Sequence, residues 1–272
     1  MLQFAYPFQT EETVKPLLCA KGEATEVVSA LSKMGYDAVE LLIRNPAEAE
    51  LDAVTALITA SSMEVASFGT GPMVADDQLS FSALDDRVRM EAINRTIQLI
   101  NWAHEVGASV SIGKLRGQMN ERHPNQSWDF MRDSFLKVLE VADKKKVPLL
   151  IEPQNRMHMN NLNDTHETLS FIEEFASSSL GIMLDNLHME AEPIKLSAAR
   201  LIKDAQKKLG FFHLTDSERR IPGEGIFDIQ GILKTLSHLP HPPVVSFEIK
   251  QQNDQFMTAK RAITYVKSLM KN

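Results

Sequence analysis

The chain has 272 residues, of which 43% are hydrophobic and 24% are charged, with a net charge of −7 and a single cysteine. This length suits one large domain, and one cysteine excludes an intramolecular disulfide or a cysteine-rich metal site. The acidic balance does not favour nucleic acid as a partner, and the absence of a signal-like N-terminus or an 18-residue apolar stretch leads us to expect a cytoplasmic protein without a membrane partner.

Short apolar runs recur along the whole chain. Their successive residues are apolar rather than alternating with polar ones, which is typical of strands that are covered on both faces. These runs predict eight strands, at residues 2–6, 37–43, 64–69, 109–113, 147–152, 180–185, 209–216 and 243–249.

Amphipathic segments between these runs predict helices. Residues 23–35 and 85–107 each end on a glycine, which is a common C-terminal stop, and residues 127–146 open on Ser127 as an N-cap and close on three lysines. The remaining predicted helices lie at residues 163–176, 196–210, 228–239 and 254–271.

Alternating strands and helices predict a parallel sheet. Eight such units in this length favour a (β/α)₈ TIM barrel in which residues 1–272 form a single domain. An open, doubly wound sheet is the alternative architecture. Its nucleotide-binding form is disfavoured because no G-x-G-x-x-G follows the first strand and no G-x-x-x-x-G-K-[ST] occurs in the chain.

Polar residues stand at the ends of four consecutive late strands, which carry Glu152, Asp185, His213 and Glu248. In a barrel the C-terminal strand ends meet at one rim, where catalytic residues lie. Three carboxylates on one rim repel each other unless protons or a cation lie among them. Three oxygens and one imidazole nitrogen suit a divalent metal ion, although each residue read alone could be a polar strand end that reaches water.

Four segments of the chain resemble the sugar (phosphate) isomerase/epimerase family, which has a xylose-isomerase-like TIM barrel. The resemblance is nearest to the ketose 3-epimerases and the hydroxypyruvate isomerase-like proteins. The segments are "LIEPQNR" (150–156), "LDNLHMEAE" (184–192), "FHLTDSERRIPGEG" (212–225) and "VSFEIK" (245–250).

This resemblance implies one divalent ion, Mn²⁺, Mg²⁺, Co²⁺ or Zn²⁺, on the four strand-end residues. It also implies that His188 and Arg219 hold substrate oxygens. His158 departs from the family, because the 3-epimerases typically have a glutamate at this position, which contacts the substrate near its carbonyl. His158 could instead bind a hydroxyl of the substrate, or it could be an ordinary loop histidine. Lys114 and Arg116, which follow the fourth strand, are candidates for holding a phosphate.

The function that the resemblance implies is a metal-dependent isomerase or epimerase of a ketose or related keto-sugar, free or phosphorylated. Glu152 and Glu248 would act as base and acid, with proton transfer through a metal-bound enediolate. The alternatives are a sugar or cyclitol dehydratase on the same barrel, a nuclease of the AP endonuclease family and a barrel that only binds ligands. The family also implies a homo-oligomer, either a dimer or a tetramer.

Overall fold

Eight parallel strands close into a barrel in the computed structural model, which describes residues 2–193 and 195–271. Each strand pairs with the next one in sequence, and the last pairs with the first through Phe4 opposite Val245 and Ala5 opposite Ser246. The predicted (β/α)₈ barrel is therefore confirmed, and the open sheet is wrong. The strands are β1 (Phe4–Gln9), β2 (Ala38–Leu42), β3 (Glu64–Gly69), β4 (Ser109–Ile112), β5 (Leu149–Ile151), β6 (Leu180–Asp185), β7 (Leu209–Leu214) and β8 (Val244–Phe247).

Helices surround the barrel, and most of them begin or end where the sequence predicts. α1 and α4 end at Gly35 and Gly107, whose φ angles of 85° and 73° are readily adopted only by glycine. The helices in the described residues are α1 (Ala24–Met34), α2 (Leu51–Ala60), α3 (Gly71–Asp77), α4 (Asp86–Val106), α5 (Pro124–Lys145), α6 (Thr165–Glu173), α7 (Asn186–Glu190), α8 (Ala198–Ala205), α9 (Ile229–Ser237) and α10 (Gln255–Leu269). Within this part of the chain no helix is both long and apolar enough to cross a membrane.

Several predicted boundaries are wrong, among them the start of α5 and the end of β1. α5 begins at Pro124, because proline suits the first turn of a helix, and the Ser127 hydroxyl instead accepts a hydrogen bond from the backbone N–H of Asn120. β1 continues through Pro7 to Gln9 rather than ending at residue 6. Its neighbour β8 pairs only with Phe4 and Ala5, so the missing N–H of Pro7 leaves no bond unmade on that side.

The interior of the barrel positions the rim residues. Leu150, Met183 and Phe211 form a small apolar cluster of their own, separate from the larger core. Side chains two residues apart on a strand point to the same face. Glu152, Asp185 and His213 each lie two residues beyond a member of this cluster. They therefore point to the barrel axis, directly above the apolar interior.

Candidate functional site

Four side chains from consecutive strands meet at the C-terminal rim of the barrel. Glu152 follows β5, Asp185 ends β6, His213 lies on β7 and Glu248 follows β8. One ligand atom from each lies within 4.8 Å of the other three, and these residues could hold a metal ion. Glu152, Asp185 and His213 are buried and Glu248 is half-buried, so the structure brings together the four residues that the sequence analysis singles out.

The chemistry of these side chains fits a divalent cation. Oε1 of Glu152 and Nδ1 of His213 are buried, and among the described residues neither has a hydrogen-bond partner. His213 Nδ1 lies 3.5 Å from Oε1 of Glu152, 3.4 Å from Oε2 of Glu248 and 3.8 Å from Oδ2 of Asp185. A buried polar atom without a partner costs about 1–3 kcal/mol. A cation among these atoms would remove that cost, and three carboxylates with one imidazole are suitable ligands for it.

Glu40, on β2, holds the other side of the His213 ring, and the pattern of strand ends in the sequence does not identify this residue. Nε2 of His213 lies 3.1 Å from each carboxylate oxygen of Glu40, which also accepts a 2.8 Å hydrogen bond from the Ser246 hydroxyl. Because a carboxylate can only accept, Nε2 carries the hydrogen, and Nδ1 is left facing the cluster. The signal available in the sequence was an acidic residue in the middle of the apolar run 37–43.

The charges in the cluster compensate one another. Burial alone would lower the pKa of His213, but the nearby carboxylates, those of Glu40 and Glu248 first, raise it well above its ordinary value. Burial likewise opposes ionisation of Glu248, yet the charges of Arg219 and His213 hold the pKa of this carboxyl well below its usual range. Burial raises the pKa of Asp185 despite the neighbouring Arg219. A bound cation would replace the imidazolium charge, since a metal requires Nδ1 without its proton.

Glu152 is fixed by its immediate neighbours. The Gln154 side-chain amide donates to Oε2 of Glu152. Oε1 of Gln154 is buried and has no hydrogen-bond partner among the described residues. A Cβ at position 113 would lie 2.7 Å from Oε2 of Glu152, so Gly113 leaves the room that this carboxylate needs. Gln154 therefore orients Glu152 and presents a free acceptor beside it, a role that the sequence analysis did not assign.

Arg116 does not fit the predicted role of a phosphate ligand. Its side chain is completely buried, and burial lowers its pKa to about 10. The guanidinium donates to backbone oxygens of Gly113 (2.8 Å), Glu152 (2.9 Å), Asn161 (3.2 Å) and Leu162 (3.3 Å), and to Oδ1 of Asn161. Arg116 therefore ties the end of β4 to the end of β5 and to the loop that follows β5.

We expect Arg116→Met to lower the free energy of unfolding by about 2 kcal/mol, because buried carbonyl oxygens lose their donors. Thermal unfolding followed by circular dichroism would show a Tm about 5 °C lower. Arg122→Met, at an exposed arginine of the following loop, is the matched control and should leave Tm unchanged. An unchanged Tm for Arg116→Met would contradict the structural role.

His188 presents a donor to the rim. It lies on α7, directly after Asp185, and both the backbone N–H of Asn155 (3.5 Å) and its Nδ2 (3.0 Å) lie at hydrogen-bond distance from Nδ1 of His188. Nδ1 accepts from these groups, so Nε2 of the neutral ring carries the hydrogen. His158 is exposed on the next loop, with its ring centroid 5.6 Å from that of His188 in an edge-on arrangement. The predicted roles of both histidines remain predictions.

Arg219 lies between the carboxylates and His188. Its NH1 bonds Oδ2 of Asp185 and lies 2.8 Å from Oε2 of Glu248, while NH2 lies 3.4 Å from Nε2 of His188. Glu218 and Arg219 have φ angles of 61° and 62°, an uncommon conformation for residues with a Cβ. The turn that contains these two residues directs the guanidinium of Arg219 towards the cluster. The substrate-holding role of Arg219 remains a prediction.

This (β/α)₈ barrel carries a Glu, Asp, His and Glu cluster that could hold a metal ion at its C-terminal rim, the usual place for catalysis in such barrels. Residues 28–269 match the family model described as "Xylose isomerase-like TIM barrel". The chain belongs to this family.

Curated relatives in this family are ketose 3-epimerases. The chain is 27% identical over 248 residues to the L-ribulose 3-epimerase of Mesorhizobium japonicum, covering 90% of this chain and 82% of the relative. It is 25% identical over 224 residues to the ketose 3-epimerase of Arthrobacter globiformis, covering 81% and 75% of the two chains. The chain is therefore distantly related to sugar epimerases.

Solved structures share the fold. A 3-keto-D-glucoside 4-epimerase from E. coli matches with a TM-score of 0.80 at 17% identity, over 98% of this chain and 99% of that one. An AP endonuclease, family 2, from Brucella melitensis matches with a TM-score of 0.77 at 15% identity, over 97% and 99% of the two chains. Since such different activities occur on this barrel, the likeness supports the architecture alone.

Proposed function

We propose that this protein is a metal-dependent epimerase of a ketose or related keto-sugar, which removes and returns a proton at the carbon next to the ketone. The observation that carries the proposal is the pair Glu152 and Glu248, whose carboxylates both belong to one candidate metal cluster. The names of the curated relatives, which are 3-epimerases of ketoses, support epimerisation over isomerisation.

The proposed metal ligands are Glu152, Asp185, His213 and Glu248, with Mn²⁺, Mg²⁺, Co²⁺ or Zn²⁺ as the ion. An ion held by these residues would supply Lewis acidity, which would make the hydrogen on the carbon next to the ketone more acidic.

Glu152 and Glu248 perform the proton transfers in this proposal. Burial opposes ionisation of Glu152, but its contact with His213 outweighs burial and holds the pKa of Glu152 below its ordinary value, so the carboxylate can act as a base. β5 and β8 are separated around the rim by β6 and β7, so the two carboxylates approach the space between them from different sides. One carboxylate takes the proton from the carbon. The other, which first takes up a proton from solvent, gives that proton to the opposite face, and this inverts the carbon, which is epimerisation.

His188 and Arg219 orient the sugar. Nε2–H of His188 and NH2 of Arg219 lie 3.4 Å apart at the edge of the cluster. Both are donors, so they can bind oxygens that become more negative as the C–H bond breaks. Such donors contribute most when they are held in place beforehand, as His188 is by Asn155 and Arg219 by Asp185.

A solvent-exchange experiment tests this function. The Mn²⁺-loaded protein is incubated in D₂O with L-ribulose, D-psicose and a phosphorylated ketose, and the sugars are followed by NMR. We expect deuterium at the carbon next to the ketone together with the epimer of at least one sugar. Appearance of an aldose would identify an isomerase, and an unsaturated product that absorbs in the ultraviolet would identify a dehydratase. Absence of exchange in all the sugars would contradict the proposal.

A further inference from the structure

A cavity lies on the same rim of the barrel as the candidate metal cluster. It has a volume of about 420 Å³ and lies between the loops that follow β3, β4 and β5, where its walls include Ser80, Ser82, Lys114 and His158. His158 also faces His188, and Lys114 directly follows Gly113, which packs against Glu152. A substrate held at the cluster and extending past His158 would therefore reach this cavity. Its volume is within the range of about 300–1,000 Å³ that is usual for ligand sites.

The charge of this cavity differs from that of the chain. The protein has a net charge of −7, yet the residues that line the cavity include one lysine and one histidine and neither aspartate nor glutamate. Within the described residues no carboxylate lies within 4 Å of Nζ of Lys114, and no hydrogen bond involves this nitrogen or the ring nitrogens of His158. Lys114 is thus an exposed cation without a counter-ion at the wall of the cavity, next to a ring with a free donor.

The positive character extends towards the cluster. Partial burial first, and then the charges of Lys114 and Arg219, lower the pKa of His158. A neutral imidazole at this position still offers one N–H group. The Ser82 hydroxyl already donates to the backbone oxygen of Gln118, but the Ser80 hydroxyl, 3.1 Å from it, can donate to a ligand. An anion is the kind of group that a lysine, an imidazole N–H and a hydroxyl bind together.

The wall of the cavity is already in place. The Gln118 side chain bridges to the loop that follows β5, because it donates to the backbone oxygen of His158 at 2.7 Å and accepts from the backbone N–H of Asn160 at 2.8 Å. The Asn160 side chain in turn accepts from the N–H of Met119 at 2.8 Å. A ligand would meet a preformed surface and would not have to order these loops.

We propose that this cavity is a subsite for an anionic substituent of the substrate, a phosphate or a carboxylate, which is held by Lys114 and His158. The inference rests on the proposed function and narrows its substrate class to keto-sugars that carry such a group at the end remote from the ketone. Arg116, whose donors are all directed at protein oxygens, takes no part in it.

Binding to three sugars with one carbon skeleton tests this subsite. Dissociation constants of the Mn²⁺-loaded protein for D-fructose, D-fructose 6-phosphate and D-fructuronate are measured by calorimetry, with inorganic phosphate as a competitor. We expect at least one anionic sugar to bind about tenfold or more tightly than D-fructose. The sugar that gains affinity identifies the group as a phosphate ester or a carboxylate.

Variants show whether Lys114 is responsible. Lys114→Met should abolish the preference while changing the dissociation constant for D-fructose less than about twofold, and Lys114→Arg should keep most of the preference, since the charge remains. Lys21→Met, at an exposed lysine of the loop after β1, is the matched control and should behave as the native protein does.

Equal binding of the three sugars, a preference that survives in Lys114→Met, or no measurable binding of either anionic sugar would each overturn the inference. These outcomes are separate from those of the exchange experiment. Exchange in neutral ketoses without a preference for anions would preserve the proposed function and refute the subsite. A preference for anionic sugars that depends on Lys114, without exchange in any sugar, would support the subsite and refute the proposed function.

Discussion

Replacement of Glu152 by glutamine is expected to slow formation of the sugar epimer about 10³-fold or more, and Glu248→Gln should have an effect of the same order. Glutamine has nearly the shape of glutamate but cannot take up the proton, and a positioned general base or acid contributes about 10²–10⁴-fold. The rate is measured by NMR under saturating Mn²⁺, because each substitution also removes a charged metal ligand. Metal content and circular dichroism are measured on the same samples, to separate loss of the base from loss of the ion or the fold.

The two variants should differ in one respect. In Glu248→Gln the remaining carboxylate still reaches one side of the sugar, so any residual deuterium exchange is confined to one epimer. In Glu152→Gln it is confined to the other epimer. Glu190→Gln, at an exposed glutamate of α7, is the control and should keep the native rate. Near-normal epimer formation in either site variant would refute the assignment of base and acid.

The ends of the late strands are predictable because burial and alternation act on nearby residues. Met183 and Asp185 lie on the same face of β6, so the pleat that buries one in the barrel delivers the other to the rim. The apolar run 180–185 marks the strand, and the one polar residue at its end marks the site. The same pattern holds for Phe211 and His213 on β7, which is why four residues from a span of about 100 could be placed together.

Glu40 could not be found in this way because its partner is remote in sequence. It lies 173 residues from His213, and only closure of the barrel brings β2 opposite β7. For Arg116 the sequence suggests a role that its contacts in the structure do not support. An arginine after a barrel strand suggests a ligand for phosphate, but its role depends on backbone oxygens of Asn161 and Leu162, which have no signature in the sequence.

The sequence does not predict α2, α3 or α7, for reasons that lie within these segments. In α2 alanines occupy exposed positions such as Ala53 and Ala56, so the apolar residues do not separate into a buried and an exposed stripe. α3 and α7 span seven and five residues, which is too short for a helical period to emerge.

α8 ends at Ala205 rather than near residue 210, because Leu209 and Gly210 belong to β7.

Glu40→Leu is expected to weaken Mn²⁺ binding about 100-fold, and Glu40→Gln about 10-fold, although neither side chain would touch the ion. Removal of the group that orients a metal-binding imidazole typically costs about 10–100-fold in affinity. Leucine removes both acceptors of the Nε2–H of His213, whereas glutamine keeps one carbonyl oxygen in nearly the same place. Metal-depleted variants are titrated with Mn²⁺ by calorimetry, and circular dichroism checks that each has folded.

The order of these effects distinguishes orientation of the imidazole from simple charge attraction. Glutamine and leucine both remove the negative charge of Glu40, so an effect of charge alone would weaken binding equally in the two variants. If Glu40 acts by orienting the imidazole, Glu40→Gln should weaken Mn²⁺ binding less than Glu40→Leu does. Ser246→Ala leaves Glu40 in place and removes only its 2.8 Å hydrogen bond from the Ser246 hydroxyl, so its effect should be smaller than that of either substitution at position 40. Native affinity in Glu40→Leu would mean that β7 alone orients His213.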